Sequence, residues 1–491
     1  MSDRATSPST VPSRPTDADR TANRSVALVL TAAFMVLADV SIVNTAAPAI
    51  QGDLGAGLAD IQLVVAGYQI GYAALLVTGG RLGDITGRRA MFSTGLLLFT
   101  LASLACGLAP SPGFLIGARI VQGLSAGLLY PQVIATIQTV LPPERRAGGF
   151  AALGAVISMG TIAGPILAGV LIALDIAGTG WRAVFLINVP IGLVVLVLAQ
   201  KLVPVARNSA GGRVSVSSVA LLSTLLVVLM TPLTIGRDHD WPLWAWLLLA
   251  ATVPLAWGFL AQQRWIAQRG RAALLPPGLW KDRAFRLGVT LYFVFFSALY
   301  SFFLYFSYLL QYGLGESALY AGLSMVTYSI GSFITSTRSK GLIGRHGGRK
   351  VALSGALASA AGSALMIVPV ILVHDWTLSL WIVPPLFVTG CGLGLVLAPL
   401  LSTVLAGIRS SEAGVASGLL STSQQIGGAV GIAVVGLAVL AAVPGGVLES
   451  ATARQLGNGF AAGLVLMVVV FLVSAALIAK LPKPAPPATA P

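Results

Sequence analysis

Long apolar blocks with almost no charge dominate this sequence. Four of them cover residues 26–50, 90–110, 183–203 and 351–373. Each has about the twenty residues that an α-helix needs to cross roughly 30 Å of hydrocarbon. Lipid offers the backbone no hydrogen-bond partner, and the blocks lack the period-two alternation of membrane barrel strands. The sequence therefore predicts an all-α, polytopic membrane protein.

Fourteen such blocks can be counted along the 491 residues. Only 9% of the residues are charged, whereas soluble proteins carry about a quarter. The chain therefore has too few charged residues to form the surfaces of soluble domains around these blocks. The predicted spans are residues 26–50, 59–79, 90–110, 113–136, 148–173, 183–203, 215–235, 242–262, 287–312, 318–337, 351–373, 378–407, 412–443 and 457–480.

The net charge of +14 is unevenly divided between the two sides of the predicted membrane protein. With the N-terminus placed in the cytosol, the inner segments hold 26 of the 30 Lys and Arg residues and the outer segments hold three. An excess of basic residues in the inner loops sets the orientation of membrane proteins. The pattern predicts a multi-pass cell-membrane protein with both termini cytosolic and with basic loops that contact anionic lipid. It does not indicate a nucleic-acid partner.

The spans fall into two groups of six with two more between them. Residues 80–89 follow the second span, and a similar stretch at residues 341–350 follows the tenth, the second span of the later group. This echo predicts two pseudo-symmetric six-helix bundles. The predicted segments are a disordered tail (1–24), a first bundle (25–204), two extra helices with a cytosolic interfacial linker (205–286), a second bundle (287–480) and a C-terminal tail (481–491). Residues 263–286 fit either an amphipathic interfacial segment or an ordinary loop.

Several motifs occur in order along the chain. They are Leu-Ala-Asp-Val-Ser-Ile-Val-Asn-Thr-Ala-Ala-Pro (37–48), Gly-Arg-Leu-Gly-Asp-Ile-Thr-Gly-Arg-Arg (80–89), Arg-Ile-Val-Gln-Gly (119–123), Gly-x-x-x-Gly-Pro-x-x-x-Gly (160–169) and Gly-Trp-Arg-Ala-Val-Phe-Leu-Ile-Asn-Val-Pro-Ile-Gly (180–192). Together they resemble the major facilitator superfamily, in particular its fourteen-span drug:proton antiporter branch. The resemblance covers nearly the whole chain. It implies the major-facilitator fold, with two six-helix bundles and two extra central helices.

Asp39 is the only carboxylate well inside a predicted span. An uncompensated charge there costs roughly 2.5–3.5 kcal/mol or more, so burial favours the protonated form. A group that is neutral facing one side and ionised facing the other meets the requirement for proton coupling. Arg119 is the only cation within a span, and the resemblance implies that it tunes this protonation. The alternatives are an Asp39 that caps a turn at the membrane boundary and a static ion pair.

The loop after the second span combines glycines with charges: Gly80, Gly83, Asp84, Gly87, Arg88 and Arg89. Asp84 is placed to interact with a helix N-terminus across the bundle, which is favourable for an anion. By resemblance, this contact would latch the two halves together. Arg345 occupies the matching position of the echo, so the second half is predicted to lack the latch. A basic turn that only sets topology is the alternative.

The fifth and ninth spans supply the remaining candidates. Small residues let helices approach closely and proline bends them, and the resemblance associates Gly160, Gly164, Pro165 and Gly169 with exporters. The ninth span is rich in aromatic side chains, which can stack on a flat drug or hold a cation. By resemblance, this span lines the central cavity, and the predicted cavity residues are Asn44, Gln122, Tyr300 and Phe303. Packing against neighbouring helices is the alternative for each aromatic residue.

These features predict a proton-coupled antiporter that exports small amphipathic drugs or antibiotics by alternating access. The sequence has no phosphate-binding loop of an ATPase and no spacing of a metal site, so neither an enzyme activity nor a cofactor is expected. The predicted partners are the substrate, protons and lipids, and the predicted functional unit is a monomer. A transporter of one metabolite (an amino acid, a siderophore or an envelope lipid) and a non-transporting sensor or scaffold are the alternatives.

Overall fold

The fold is built from α-helices. The computed structural model describes residues 17–204, 215–236, 241–269, 273–276, 278–316, 318–441 and 452–482, and within them no strand is present. The helices are α1 Asp17–Leu54, α2 Leu58–Thr86, α3 Arg88–Gly107, α4 Pro112–Val140, α5 Pro143–Leu174, α6 Ala183–Leu186, α7 Asn188–Leu202, α8 Val216–Ile235, α9 Leu243–Gln268, α10 Arg283–Tyr308, α11 Ala318–His346, α12 Gly348–Leu372, α13 Leu378–Leu405, α14 Ala413–Ala441 and α15 Ala453–Ala479.

Each predicted span coincides with one helix or, in one case, with a short group of helices. The sixth span is a 3₁₀ turn at Gly180–Arg182 followed by α6 and α7. Among the described residues, twelve helical segments are long and apolar enough to cross a membrane. The helices α5 and α11 coincide with the fifth and tenth predicted spans but are not among these twelve. The all-helical, multi-span prediction is confirmed, and the count of fourteen membrane crossings stays a prediction.

The N-terminal tail is shorter than predicted. Helix α1 begins at Asp17, so the last eight residues of the predicted disordered segment 1–24 are helical. The guanidinium of Arg145, in the first turn of α5, donates hydrogen bonds to the carboxylate of Asp19 at 2.5 Å and to the side-chain oxygen of Asn23. This contact between distant parts of the chain extends the helix, and a local sequence pattern does not reveal it. Residues 1–16 and the predicted tail from residue 483 onward lie outside the described residues.

The helices pack in two groups. In the first group α2 packs on α4, α1 on α5 and α3 on α7, and in the second α12 and α11 pack on α13 and α10 packs on α14. The two groups meet where α2 contacts α14 and α5 contacts α11. Helix α8 packs on α2 and α14, and α9 packs on α8. After α9 the described residues form a loop with a 3₁₀ turn at Leu279–Lys281, which favours the ordinary-loop interpretation of the linker.

The outer surface of the helices is apolar, while polar side chains lie inside. On α9 the side chains of Leu243 and Trp257 are 74% and 75% exposed. Conversely, Gln122, Ser103 and Gln132 are fully buried. A soluble monomer does not expose an apolar surface of this extent. The surface is therefore suited to contact lipid.

Candidate functional site

Asp39 and Arg119 form a buried ion pair between α1 and α4. The Nη1 atom of Arg119 lies 2.5 Å from Oδ2 of Asp39. The two residues are 2% and 1% exposed. The contact expected between these two lone opposite charges is therefore present, and the described partners of the carboxylate lie on other helices. Its role in proton coupling, as opposed to a static ion pair, stays a proposal.

Two amides complete the shell around the carboxylate. Gln122 donates from Nε2 to Oδ1 of Asp39 at 2.9 Å, and Asn188 donates from Nδ2 to the same oxygen at 3.1 Å. Gln122 also accepts from Nη1 of Arg119 at 2.7 Å and donates to Oγ of Ser103 at 2.8 Å. Both oxygens of Asp39 therefore receive hydrogen bonds from charged or polar donors. Gln122, a predicted cavity residue, belongs to this shell.

The Arg119 side chain is held on its other sides as well. Its Nε donates to the carbonyl of Val64 at 3.3 Å, and the guanidinium lies 4.3 Å from the ring centroid of Tyr68. Phe185 contributes a second ring at 5.7 Å. A guanidinium over an aromatic face is favourable, more so where water is excluded. The cation is thus tied to α1, α2 and α6 at once.

Hydrogen bonds to Asp53 position the segment that carries Asn188. At the far end of α1 from its N-terminus, Asp53 accepts from Nε1 of Trp181 at 3.0 Å and from Nη1 of Arg182 at 2.5 Å. The hydrogen bond from Arg182 lowers the pKa of Asp53 below its usual value. Arg182 also donates to the carbonyl of Ala109, next to the end of α3. These bonds fix the start of the segment that carries Asn188.

Asn188 lies in the motif at residues 180–192, but it was not among the predicted site residues. Its signal was present in the sequence, because a side-chain amide in an apolar block is costly unless it is hydrogen-bonded. The identity of its partner depends on how α7 is rotated against α1, which the sequence alone does not give. The structure supplies that rotation.

Asp84 joins the first group of helices to the second. Its two oxygens each accept at 3.0 Å, one from the backbone N–H of Gly414 and the other from that of Val415, at the start of α14. Arg88 donates to Asp84 at 3.3 Å and to the carbonyl of Ser410 at 2.5 Å. A carboxylate at a helix N-terminus satisfies otherwise unpaired N–H groups and is favoured by the helix dipole. The expected contact of Asp84 with a helix N-terminus is present, and the helix is α14 of the second group. Its role as a latch stays a proposal.

The segment predicted as a loop is helical except at Gly87. Gly80, Gly83 and Asp84 lie in the last turns of α2, and Arg88 and Arg89 begin α3, because the glycines are accommodated in the helix by close packing.

These glycines permit the close approach. A Cβ at Gly80 would lie 2.0 Å from the carbonyl oxygen of Gly414, and one at Gly83 would lie 2.0 Å from Oε1 of Gln132. Gly87 adopts φ +102° between α2 and α3, a conformation that side chains strongly disfavour. Arg89 donates from Nε to the carbonyl of Val203 at 2.6 Å. The segment is therefore packed against both α14 and the end of α7.

The similar segment at residues 341–350 has the same turn, but its glycines are not crowded by another helix. Gly347 has φ +82°, and it joins α11 to α12 as Gly87 joins α2 to α3. A Cβ at Gly341 or at Gly344, however, would meet nothing within 4 Å. Arg345 stands where the first half has Asp84. Gly341 and Gly344 therefore make no close approach of the kind that Gly80 and Gly83 make.

Replacing Gly80 with alanine is expected to open the structure at this end, because the added Cβ and the Gly414 carbonyl cannot occupy the same space. Ser417 lies in the same seam and donates to the carbonyl of Pro131 at 3.1 Å. A cysteine at position 417, in a chain whose Cys106 and Cys391 are replaced by serine, reports on the opening. We expect Gly80→Ala to raise its labelling by an impermeant maleimide several-fold in inverted vesicles.

The matched control is Gly341→Ala, the equivalent change in the echoed loop, where open space surrounds the new methyl group. Its labelling should equal that of the parent. Equal labelling in Gly80→Ala and Gly341→Ala would refute the latch.

A further contact closes the same end of the molecule. Gln138 near the end of α4 donates to the carbonyl of Leu405 at the end of α13 at 2.7 Å. This is the end at which the sequence predicts the basic inner loops. Halfway along α5 and α11, Ser158 donates to Ser332 at 2.7 Å.

The glycines of α5 pack against the segment of α1 that carries Asp39. A Cβ at Gly160 would lie 2.9 Å from Cβ of Leu37, and a Cβ at Gly164 would lie 2.8 Å from the carbonyl of Ala38. At Gly169 nothing lies within 4 Å. Pro165 is within α5, but its side chain lies outside the described part of the structure. Two of the three motif glycines thus set the distance between α5 and α1.

Gly164→Ala is expected to destabilise the protein by about 1–3 kcal/mol, since the methyl group must push α1 away. Gly169→Ala is the control and should be neutral or slightly stabilising, because alanine is the better helix former. Thermal unfolding of the purified variants in one detergent compares them. Equal loss of stability at both positions would contradict the packing assigned to Gly164.

The predicted cavity residues are not brought together as one set. The hydroxyl of Tyr300 accepts from Nε2 of Gln424 at 2.8 Å and donates to Oε1 of Gln425 at 3.2 Å. Phe303 instead packs edge-on against Tyr328 of α11, with ring centroids 5.1 Å apart. Asn44 is within α1, and its side chain lies outside the described part. Tyr300 with its two glutamines is therefore the best-defined polar group on α10 and α14.

Comparison with known proteins gives a consistent family match. The sequence model of the Major Facilitator Superfamily matches residues 29–432. A probable actinorhodin transporter of Streptomyces coelicolor is 37% identical over 412 residues, covering 84% of this chain and 71% of the relative. Cephamycin export protein CmcT of Amycolatopsis lactamdurans is 35% identical, covering 84% of each chain. Multidrug resistance protein Stp of Mycobacterium tuberculosis is 30% identical, covering 87% of this chain and 78% of the relative.

Solved structures match over nearly the whole chain. The human organic anion transporter MFSD10 superimposes with a TM-score of 0.65 at 15% identity, covering 93% of this chain and 99% of that one. The proton:xylose symporter XylE also gives 0.65, at 14% identity, covering 94% and 97%. At such low identity these matches establish a shared fold and nothing about substrate.

Proposed function

Because the chain belongs to the major facilitator superfamily, we propose that it is a proton-coupled antiporter that exports small amphipathic compounds across the cell membrane. Family membership itself makes the protein a multi-pass membrane transporter and not an enzyme. The direction of transport, the coupling to protons and the cytosolic position of both termini are the proposed parts. Each is argued separately below.

Export is supported by the printed names of the relatives, which describe export or drug resistance. It is also supported by the glycines of α5, which match the exporter motif and pack against α1. The positive-inside charge pattern supports the orientation. With that orientation, the contacts of Asp84 with α14 close the cytosolic side.

Proton coupling is supported by the geometry around Asp39, and this is the observation on which the proposal depends most. A carboxylate enclosed by protein is stable as an anion only while Arg119 and the two amides face it. A rearrangement that withdraws Arg119 favours proton uptake by Asp39, and its return favours release. Alternating access, in which the two halves rock about the site, supplies such a rearrangement.

The energy available is sufficient without a cofactor. One charge moved through 100 mV supplies about 2.3 kcal/mol, which corresponds to a concentration ratio of roughly fortyfold. The exchange of one proton for each substrate molecule is therefore enough to keep the substrate concentration in the cell well below that outside. We propose a monomer as the functional unit, because each chain carries its own ion pair and latch.

The test is uptake into inverted membrane vesicles prepared from cells with and without the protein. We expect uptake of toxic amphipathic compounds that requires an imposed proton gradient and stops when a protonophore is added. Uptake that persists with the protonophore would refute coupling, and uptake of none of a broad panel would refute export.

A second candidate is the export of one defined compound. Two relatives have names that specify a single compound, actinorhodin or cephamycin, whereas another is named for multidrug resistance. The vesicle panel separates the two, because a single transported compound identifies the narrow exporter.

A further inference from the structure

The two extra helices, α8 and α9, contact both groups of helices. Helix α8 packs on α2 of the first group and on α14 of the second, and α9 packs on α8. The hydroxyl of Ser223 on α8 donates to the carbonyl of Ala74 on α2 at 3.0 Å. Because α2 and α14 also meet where Asp84 binds the start of α14, the helix pair lies beside the seam between the two groups.

A buried apolar cluster joins the helix pair to this seam. Its members come from α2, α8, α9 and the loop that follows α9, and they include Val77, Leu222, Phe259 and Leu274. Leu419 of α14 packs against the cluster. Leu274 is 1% exposed, so the loop after α9 starts inside the packed protein. Val77 precedes Asp84 by about two helical turns, which places the cluster near the end that Asp84 closes.

Gln263 near the end of α9 holds the start of this loop. Its Oε1 atom accepts hydrogen bonds from the backbone N–H of Leu274 at 2.7 Å and from that of Leu275 at 3.4 Å. The Gln263 residue is 5% exposed. A buried N–H group that loses its partner costs free energy, and lipid supplies no substitute. Gln263 therefore ties the first residues of the loop to α9.

The end of the same loop is tied to α10 of the second group. The 3₁₀ turn at Leu279–Lys281 packs on α10, and the ring of Trp280 meets that of Phe285 edge-on, with centroids 5.9 Å apart. Only three residues separate Leu275 from Leu279 in the sequence, so the chain between these two residues spans at most about 14 Å. A short link thus connects the end of α9 to the second group.

We propose that α8, α9 and the loop held by Gln263 form a clasp across the two halves, which stabilises the state that is closed at the Asp84 end. One side of the clasp is fixed to α2 through Ser223, and the other is fixed to α10 through the short link. Separation of α2 from α14 must therefore break the first attachment or pull the loop off Gln263. This inference rests on the proposed alternating access and gives the two extra helices a role in it.

Labelling of a single cysteine measures opening at this end. The background chain carries Ser417→Cys, with Cys106→Ser and Cys391→Ser. Ser417 is fully buried in the seam, where it donates to the carbonyl of Pro131. An impermeant maleimide is added to inverted vesicles without substrate and without a proton gradient. The labelling rate then follows the fraction of molecules that are open at the Asp84 end.

Gln263→Leu releases the loop, because it leaves two buried N–H groups without their acceptor. We expect this variant to raise the labelling rate about tenfold. The matched control is Gln262→Leu, the same change one residue away. Gln262 donates to Ser217 of α8 at 3.1 Å and holds neither of the two loop N–H groups. Its labelling should equal that of the background.

A smaller substitution releases the other side of the clasp. Ser223→Ala removes the hydrogen bond to the Ala74 carbonyl without adding volume, and we expect it to raise the labelling rate about two- to tenfold. The control is Ser217→Ala, the same change at an exposed position of α8, which should leave labelling unchanged.

The results decide between a clasp and two peripheral helices. Labelling at the background rate in both Gln263→Leu and Ser223→Ala overturns the clasp. So does a rise in Gln263→Leu that is matched in Gln262→Leu, because α9 is then merely destabilised. The labelling needs no transported compound. Export measured in the vesicle panel therefore stands if the clasp fails, and the labelling result stands if export fails.

Discussion

Asp39→Asn is expected to abolish proton-driven accumulation of substrate while the protein still folds. Asparagine has nearly the shape of aspartate and can accept the hydrogen bond of Arg119, but it cannot exchange a proton. Substrate should still equilibrate down its own gradient, because alternating access does not itself require the charge. Uptake into inverted vesicles, with and without an imposed proton gradient, measures the two processes separately.

The matched control is Asp175→Asn, which makes the same chemical change outside the site. Asp175 has φ +39° and accepts the backbone N–H of Gly180 at 2.7 Å. Asparagine tolerates that backbone conformation and can accept the same bond, so this variant should transport as the parent does. Proton-driven accumulation that survives in Asp39→Asn would remove the carboxylate from the coupling mechanism.

The second large effect is on stability. Arg119→Met leaves the Asp39 carboxylate buried without its cation, which costs about 3–5 kcal/mol. The cost should shrink as the pH falls, since a protonated carboxyl needs no counter-charge. Thermal unfolding of the purified variant across pH, compared with the parent at each pH, measures this.

The double variant Asp39→Asn with Arg119→Met serves as its control. Removing both charges eliminates the unpaired carboxylate, so most of the lost stability should return. Transport coupling should stay absent, because the titrating group is gone. A single Arg119→Met variant as stable as the parent at every pH would show that the pair contributes nothing to holding α1 and α4.

Much of the architecture could be predicted because lipid imposes strict rules on a sequence. A block of about twenty apolar residues has few structural options in hydrocarbon, so the predicted spans coincide with helices along the chain. Asp39 and Arg119 could be paired because each was the sole charge of its sign well inside a span. Asp84 could be assigned to a helix N-terminus from its charge and its position at the end of α2.

Other features depend on packing between distant helices and were missed. Asn188 reaches Asp39 only because α7 presents that face to α1. Gln122 was predicted to line the cavity. The rotation of α4 about its axis brings the Gln122 amide within hydrogen-bond distance of the Asp39 carboxylate. Phe303 was predicted to line the cavity together with Tyr300. It lies three residues further along α10, and its ring packs against Tyr328 of α11. Helix rotation is set by the whole bundle, and hydropathy does not specify it.

The measurement that tests proton coupling most directly is the pH inside proteoliposomes during substrate flow. A pH-sensitive dye is trapped in vesicles that contain the purified protein, and a substrate gradient is imposed with no initial pH difference. Antiport through Asp39 predicts that protons move opposite to the substrate and that this movement is absent in Asp39→Asn. Substrate flow without proton movement in the parent, or unchanged proton movement in Asp39→Asn, would contradict it.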